Sequence, residues 1–355
     1  MYIYITLICV CLFNGYLMDK IQNRDNNKFK HIMFFTFIML FLISALRYQV
    51  GQDYTDTYVR SYNLIVSGQR NVRMDIGVKT IYKIMAFLHA NVQWIFVITS
   101  FIINLFACKS IENQSPNCKM SFWIYVCGTM YFFSMNGVRQ AVAMMLFYYS
   151  FRFIRERNLK MYFIINGIGF LFHSSAIIFF PLYFVLNKKY KFKLKMIVIG
   201  GTLLASRFVI PVLNSILMKT HYSMYLTNDA YTVQKSLNFS MYLNIALFLI
   251  YEWIIQRNNI MKDEQGEIYA NMHFCGVIVS LLTTSIPLMI RIFMSFRYIE
   301  FLSVPYLVEM QTKNKYRQII IFAIMVCYFM YFVWGVLIQN GNTVLPYKTI
   351  FSKAW

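Results

Sequence analysis

Apolar runs recur from one end of the chain to the other, and their length limits the fold more than any other feature. Examples are Met1–Met18, Ile32–Leu46, Asn91–Ala107 and Ile319–Ile338. A helix needs about 20 apolar residues to cross the hydrocarbon core of a bilayer, and runs of about 13 to 22 residues suit such helices. Hydrophobic residues make up 59% of the chain, well above the composition of soluble domains. The sequence therefore predicts an all-α, polytopic membrane protein without a soluble domain.

Basic residues gather in short loops between the apolar runs and predict which helix ends face the cytoplasm. Four such loops are Lys20–Lys30, Arg152–Lys160, Lys188–Lys195 and Lys313–Arg317. Loops rich in Lys and Arg stay on the cytoplasmic side. The net charge of +20 therefore reflects membrane orientation and not nucleic-acid binding. The alternation predicts about 12 transmembrane helices plus a short partial helix at Ile76–Leu88.

The remaining polar stretches fall on the outer side of the membrane by the same rule. Two external loops are expected, at residues 47–75 and 214–238, within a single integral membrane domain that covers residues 1–355. The run Lys160–Leu186 has basic loops at both of its ends. We therefore expect it to cross twice and to turn outside near His173–Ser175.

The first outer motif reads RYQVGQDYTDTY and covers Arg47–Tyr58. Arg47 closes a span and Gly51 allows a turn. Asp53 and Asp56 follow three residues apart, a spacing that puts both acids on one face of a helix. We expect Arg47 to bind phosphate and Asp53 to act as a base. For this motif alone, an arginine that reaches to the interface above two solvated aspartates is the alternative.

The second outer motif reads NGVRQ and covers Asn136–Gln140. It opens a span, where the helix dipole and the free backbone N–H groups already favour anions. We therefore expect Arg139 and Gln140 to bind a phosphate group. An interfacial anchor is the alternative, although the orientation bias disfavours arginine at an outer helix end.

The third outer motif reads FHSSA and covers Phe172–Ala176, at the expected turn of a tight hairpin. The neutral imidazole of His173 can accept a proton or donate a hydrogen bond. His173 and Asp53 are therefore the two candidates for a general base. Taken alone, a histidine in such a turn is more often a capping residue.

The fourth motif reads RIFMSFRY and covers Arg291–Tyr298. Arg291 is expected at the outer turn between two spans, and Arg297 lies deeper in the second of them. An arginine inside a span requires an acid or an anionic ligand as its partner. Glu300 and Glu309 on the same run are the candidate acids, so a purely structural ion pair is the alternative to diphosphate binding.

The chemistry of these side chains points to a diphosphate. Guanidinium groups pair bidentately with phosphate oxygens and stay charged at all relevant pH values. Weaker candidates, for sugar binding, are three tyrosines of the external loops, namely Tyr54, Tyr222 and Tyr225. The sequence contains no HExxH, Walker or GxSxG motif and no Cys/His cluster at metal-ligand spacing, so neither a metal nor a cofactor is expected.

With these residues, the chain resembles the EpsG family of Wzy-like bacterial polysaccharide polymerases over nearly its whole length. The resemblance rests on RYQVGQDY, NGVRQ, FHSSA and, near the C-terminus, VLPY at Val344–Tyr347, in this order. One departure is Ser174, which follows His173 where the family is expected to favour a lysine.

The resemblance implies a fold similar to GT-C-like polymerases, placed in the bacterial cytoplasmic (inner) membrane with the active site facing outward. The implied reaction polymerises polyprenyl diphosphate-linked oligosaccharide repeat units into capsular, exo- or O-antigen polysaccharide. The implied partners are that lipid-linked oligosaccharide, membrane lipid, and a chain-length regulator or other polysaccharide-assembly proteins.

Three other functions fit a multispanning protein with a cationic outer site: a flippase for lipid-linked sugars, a glycan ligase and an O-acyltransferase. Flippases commonly contain paired internal repeats, and no repeat is apparent in this sequence. A ligase differs from a polymerase in its acceptor, and an acyltransferase would leave sugar chain length unchanged.

Overall fold

The computed structural model describes residues 1–21, 24, 26–69, 71–219, 236–257, 263–286, 289–310 and 317–354. These residues are mostly helical, and they form no strand beyond a single bridge between Arg47 and Thr349. The all-α class predicted from the apolar runs is confirmed.

In this part of the chain the α-helices, in chain order, are α1 (Tyr2–Asp19), α2 (Asn27–Ala45), α3 (Arg60–Val66), α4 (Ile76–Phe87), α5 (Gln93–Gln114), α6 (Cys118–Cys127), α7 (Met130–Asn136), α8 (Val138–Arg155), α9 (Leu159–Phe172), α10 (Phe179–Leu186), α11 (Phe192–Leu204), α12 (Ile210–Leu217), α13 (Phe239–Arg257), α14 (Glu264–Leu282), α15 (Met289–Arg297), α16 (Glu300–Met310) and α17 (Arg317–Phe332). Shorter π-helical or 3₁₀ segments are Tyr54–Val59, Ser174–Ile178, Ala205–Val209, Val333–Ile338 and Ile350–Ala354.

Six of the described helical stretches are long and apolar enough to cross a membrane, namely Tyr2–Asp19, Asn27–Ala45, Gln93–Gln114, Phe192–Ile216, Phe239–Arg257 and Arg317–Ile338. The protein is therefore a membrane protein. Other apolar helices are shorter, such as α9 with 14 residues. The count of about 12 spans and the GT-C-like arrangement stay predictions.

Polar side chains define where several helices begin. The side chains of Asn26, Asn117, Asn158 and Asp263 each accept a backbone N–H from the first turn of the helix that follows. Such caps satisfy amide groups that have no partner within the helix. They fix the start of α2, α6, α9 and α14.

The structure confirms one predicted turn and one predicted short helix, and it corrects the predicted position of Arg291. The run Lys160–Leu186 breaks at His173, whose extended backbone ends α9, and the partial helix is α4. The apolar stretch before NGVRQ is interrupted at Thr129, a left-handed residue with φ of 72° between α6 and α7. Arg291 is not in a turn, because α15 begins two residues before it and places it in a first helical turn.

The chain divides into two compact units: Met1–Phe180 together with Glu300–Trp355, and Pro181–Ile299. In the first unit, Asp19 at the end of α1 accepts the backbone N–H of Cys118 at 2.6 Å. At the start of the same helix, the Tyr4 hydroxyl donates to the Val344 carbonyl at 3.0 Å. The basic loop after Asp19 and the VLPY segment therefore lie at opposite ends of α1.

The second unit has its own buried core, in which α13 and α14 pack together around Phe248 and Phe274. An ion pair joins Lys195 of α11 to Glu252 of α13 at 2.5 Å, and both side chains are buried. Breaking a buried pair by removing one partner leaves an uncompensated charge. The pair therefore helps to hold α11 against α13.

Candidate functional site

Gly51 brings the first two outer motifs into direct contact. Its backbone φ of +98° is one that residues other than glycine rarely adopt. A Cβ at this position would lie 2.4 Å from the carbonyl oxygen of Met135. Next to this close approach, the backbone N–H of Asp53 donates to Asn136 Oδ1 at 3.0 Å. RYQVGQDY and NGVRQ, which are distant in sequence, are therefore neighbours at one end of the first unit.

The segment around VLPY pairs with the same loop. The backbone N–H of Gly51 donates to the Thr343 carbonyl, and that of Tyr48 donates to the Lys348 carbonyl, both at 2.9 Å. The Tyr347 hydroxyl donates to the Ile43 carbonyl at 2.8 Å. The C-terminal motif thus supports the loop that carries Asp53.

Arg139 lies in the first turn of α8, where the sequence placed it, and its guanidinium is partly exposed. Its Nη1 donates to Asp75 Oδ2 at 2.5 Å, and the Tyr58 hydroxyl also interacts with the guanidinium. A quarter of the Arg139 side chain remains accessible. The guanidinium is therefore held by protein groups but can still be reached by a ligand.

His173 approaches the same aspartate from the end of α9. Its Nδ1 lies 3.8 Å from Asp75 Oδ2, is buried, and forms no hydrogen bond within the described part of the chain. The backbone N–H of Ser174 donates to Asp75 Oδ1 at 3.2 Å. Asp75 therefore connects the second and third outer motifs.

Helix α4 positions Asp75 because it packs closely against α9. Asp75 is the residue before α4, and a Cβ on Gly77 would lie 2.8 Å from the Leu171 carbonyl oxygen. No larger residue fits at this approach without moving one helix. The contact brings the start of α4 to the turn that carries His173.

The surroundings of Asp75 favour its ionised form. Burial raises the pKa of this carboxyl, but His173, the charge of Arg139 and the Ser174 N–H together bring the pKa below its ordinary value. The aspartate is therefore negatively charged at neutral pH.

Asp75 is not among the site residues that the sequence predicts. An acid directly before a helix is usually a solvated cap, and the motif RMDIG has no partner nearby in sequence. Its one signal was position, since it ends a polar outer loop and precedes an unusually short apolar helix. The contacts with Arg139 and His173 are tertiary and could not be read from spacing.

Asp53, the other candidate base, lies on the same loop. Its side chain is partly buried, and the Thr57 hydroxyl donates to its Oδ1 at 3.4 Å. Asp53 precedes the π-helical segment Tyr54–Val59, and its charge is felt by Tyr58, which also contacts Arg139. Asp53 and Arg139 therefore flank one tyrosine.

Arg47 is buried, with 1% of its surface exposed. Its Nη1 donates to the Ser44 carbonyl and to the Ser100 hydroxyl, and its guanidinium lies 4.7 Å from the Phe96 ring centroid. Its Nε and Nη2 have no hydrogen-bond partner among the described residues. The diphosphate role of Arg47 stays a prediction, and its present surroundings are interior ones.

A cavity of ≈ 520 Å³ opens beside this loop and is lined by Tyr48, Tyr54, Trp94, Val97 and other residues. The Tyr54 ring stacks on Phe96 at 4.3 Å, and its hydroxyl donates to Gln93 Oε1 at 2.9 Å. Gln93 Nε2 in turn donates to the Ala45 and Arg47 carbonyls. The polar atoms of Tyr54 and Gln93 are therefore engaged with one another and with the backbone.

Of the other predicted site residues, three lie on α8 or α15 and two lie outside the described residues. Gln140 is buried in α8. Arg291 is exposed on α15, and Arg297 at the end of that helix is buried over the Tyr298 ring; both belong to the second unit. Tyr222 and Tyr225 lie outside the described residues. The roles of these five residues stay predictions.

The candidate acids for Arg297 have partners in the first unit. Glu300 accepts the Tyr328 hydroxyl at 2.7 Å, and Glu309 pairs with Arg317. Among the described residues, no group of three His, Cys, Asp or Glu side chains could hold a metal ion.

The chain was compared with protein families, curated proteins and solved structures. The model of the EpsG family matches residues 30–349, a stretch that includes all the outer motifs. No curated protein and no solved structure matches the chain.

Proposed function

Because the chain belongs to the EpsG family of Wzy-like polymerases, we propose that it is a membrane glycosyltransferase that joins polyprenyl diphosphate-linked oligosaccharide repeat units. The reaction takes place on the outer face of the bacterial cytoplasmic membrane and yields capsular, exo- or O-antigen polysaccharide. The observation that carries the proposal is the meeting of Arg139 and His173 at Asp75, beside the loop of Asp53.

The proposed step exchanges one C–O bond for another. The hydroxyl oxygen of the acceptor sugar attacks the anomeric carbon of the growing glycan, and its proton passes to a base. The bond between that carbon and the diphosphate breaks, and the polyprenyl diphosphate leaves with the electron pair. No oxidant, reductant or metal enters this balance.

Arg139 neutralises the leaving diphosphate. A positioned cation stabilises charge that develops in the transition state, and it acts more strongly away from bulk water. The partly exposed guanidinium at the start of α8 meets this requirement, because backbone amides of the helix N-terminus support the same anion.

His173 is the base that these contacts favour. A base whose second ring nitrogen faces a carboxylate is the arrangement used in acyl-transfer triads. With Nδ1 directed to Asp75, Nε2 is left for the acceptor hydroxyl. Asp53 is the second candidate, since its carboxylate lies on the neighbouring loop.

The cavity beside the loop receives the apolar part of the donor. Its lining is largely aromatic and aliphatic, and the polar atoms of Tyr54 and Gln93 are already engaged. An isoprenoid chain requires no hydrogen bonds and suits such a lining better than a sugar. Sugar binding by Tyr54 is the competing assignment.

Arg291 and Arg297 remain candidates for diphosphate binding on their residue type alone. Arg47 supports the site from inside, where its backbone carbonyl accepts Gln93 and its charge draws anions toward the loop.

The direct test is to incubate the purified full-length protein in lipid nanodiscs with a polyprenyl diphosphate-linked repeat unit. A ladder of glycolipids that differ by one repeat unit is the expected product. Movement of the substrate between leaflets of a vesicle without new glycosidic bonds would identify a flippase and contradict the proposal.

A further inference from the structure

The carboxylate of Asp75 is shared unequally between two functional side chains. Its Oδ2 lies 2.5 Å from Arg139 Nη1 and 3.8 Å from His173 Nδ1, while Oδ1 accepts the Ser174 N–H. Arg139 and Asp75 therefore form a hydrogen-bonded ion pair, whereas the distance from His173 Nδ1 to Asp75 is too long for a hydrogen bond. In this state Asp75 neutralises the arginine and leaves Nδ1 of the histidine without a hydrogen bond.

The buried Nδ1 of His173 is the unusual feature of this cluster. Buried polar atoms nearly always have a hydrogen-bond partner, and this one has none within the described part of the chain. The Asp75 oxygen that faces it at 3.8 Å is already bound to Arg139. The structure therefore holds a base and its orienting group next to each other but not engaged.

We propose that Asp75 is a positioning residue whose carboxylate exchanges Arg139 for His173 when a diphosphate binds. This inference rests on the proposed function, because it takes Arg139 as the diphosphate ligand and His173 as the base. It adds a residue that couples binding of the leaving group to activation of the base.

A diphosphate can displace Asp75 from Arg139. The guanidinium is partly exposed, and a diphosphate offers more charge than one carboxylate, together with oxygens that fit bidentate pairing. A hydrogen bond to His173 then requires Oδ2 to move by about 1 Å. A small movement of the Asp75 side chain is enough for this change, and Oδ1 starts from a hydrogen bond with the Ser174 N–H on the same turn as His173.

The exchange activates the base only when the donor is present. Once Asp75 accepts the Nδ1–H of His173, it fixes the tautomer in which Nε2 has a free lone pair. It also stabilises the imidazolium that forms when the acceptor hydroxyl gives up its proton. Without a bound diphosphate, Asp75 stays on Arg139 and the imidazole of His173 is not oriented by a hydrogen bond.

The proposal predicts an unusual split between binding and catalysis in Asp75→Asn. The amide keeps a hydrogen-bonding side chain but loses the charge that competes for Arg139. Farnesyl diphosphate, a short polyprenyl diphosphate, is therefore expected to bind the full-length protein in nanodiscs about two- to fivefold more tightly. The kcat for polymerisation is expected to fall by about tenfold or more.

Asp56→Asn is the matched control, because Asp56 is exposed on the adjacent π-helical segment. It is expected to change neither value. A residue with a merely structural role would weaken binding when substituted, so equal or weaker binding of farnesyl diphosphate by Asp75→Asn would overturn the exchange.

NMR of ¹⁵N-histidine-labelled wild-type protein provides a second readout. The variant His173→Gln is needed only to assign the His173 resonances. Saturation with farnesyl diphosphate is expected to shift the His173 Nδ1 resonance as its hydrogen bond to Asp75 forms. An unchanged Nδ1 resonance in saturated wild-type protein would also overturn the exchange.

Different results would contradict the diphosphate role of Arg139 and the exchange at Asp75. If farnesyl diphosphate does not bind the wild type, or binds Arg139→Ala equally well, the diphosphate role of Arg139 is wrong and the exchange is wrong with it. If binding depends on Arg139 but Asp75→Asn shows no gain in affinity, only the exchange is wrong.

Discussion

Arg139, His173 and Asp53 show at the level of single residues how the proposed chemistry divides. Arg139 bears the one charge among them that is both anchored and accessible. His173 faces a carboxylate through Nδ1, whereas Asp53 faces the hydroxyl of Thr57. Only the histidine therefore has a neighbour that would stabilise it after it takes up a proton.

This difference predicts the outcome of exchanging the two candidate bases. His173→Gln removes the proton acceptor, so kcat for polymerisation is expected to fall by about 10²-fold or more. Asp53→Asn keeps the backbone contact with Asn136 and is expected to lower kcat by less than about tenfold. Single-turnover rates with a lipid-linked repeat unit measure both effects, and the reverse order would assign the base to Asp53.

The residue scale also shows what sequence alone could supply. Arg139 and His173 were predicted because a charged or titratable group at an outer helix end is costly to keep without a function. Asp75 was not, since its partners are 64 and 99 residues away along the chain. Arg47 was predicted to bind phosphate at the end of a span, and the sequence did not reveal that its guanidinium is buried against the Phe96 ring.

At the scale of elements, two close backbone approaches build the site. Gly51 places the first outer loop on the end of α7, and Gly77 places α4 against α9. The sequence indicated the loop and the short helix; the structure confirms the short helix as α4, and the external position of the loop stays a prediction. The apolar runs do not predict which helices pack against each other. A run without a distinct polar face does not indicate which of its sides meets a neighbouring helix.

Gly51→Ala tests the first approach, with Gly68→Ala as its control. Both glycines have positive φ, +98° and +84°, but a Cβ at Gly68 meets nothing within 4 Å. Gly68→Ala should cost about 1 kcal/mol of conformational strain. Gly51→Ala adds a clash with the Met135 carbonyl and should cost about 3 kcal/mol or more. Thermal unfolding in detergent compares them, and equal losses would contradict the close contact.

Gly77→Ala tests the second approach, with Gly167→Ala as its control. A Cβ at Gly77 must displace the Leu171 carbonyl, whereas Gly167 on α9 has open space around it. Gly77→Ala is therefore expected to separate Asp75 from Ser174 and to lower polymerisation by about tenfold or more. Gly167→Ala should leave polymer length and yield unchanged; if Gly77→Ala does so too, α4 does not position the site.

At the scale of the whole molecule, the sequence predicts the all-α membrane class and which loops face the cytoplasm. The structure shows which segments lie at each end of α1. The loop after Asp19 and the VLPY segment lie at opposite ends of α1 in the first unit, as the charge bias requires if one end is cytoplasmic and the other is not. The number of spans could not be fixed from sequence, because several apolar helices are shorter than a bilayer is thick.

Cysteine labelling of intact cells tests this orientation. In a background without native cysteines, Gly68→Cys lies in the loop predicted to be external and Glu156→Cys in the basic loop after α8, and both positions are exposed. A membrane-impermeant maleimide is expected to label residue 68 in intact cells and residue 156 only after lysis. The opposite pattern would place the site on the cytoplasmic side.

The central claim is that Arg139 holds the diphosphate of the growing glycan lipid, and the products of Arg139→Ala test it most directly. Arg60→Ala is the control. Arg60 is an exposed arginine at the start of α3, on the loop that also carries Asp53. Gel analysis of polymer made by equal amounts of each protein should show full-length chains for wild type and Arg60→Ala. Arg139→Ala should yield only glycolipid with a single repeat unit, whereas chains of normal length from this variant would contradict the account.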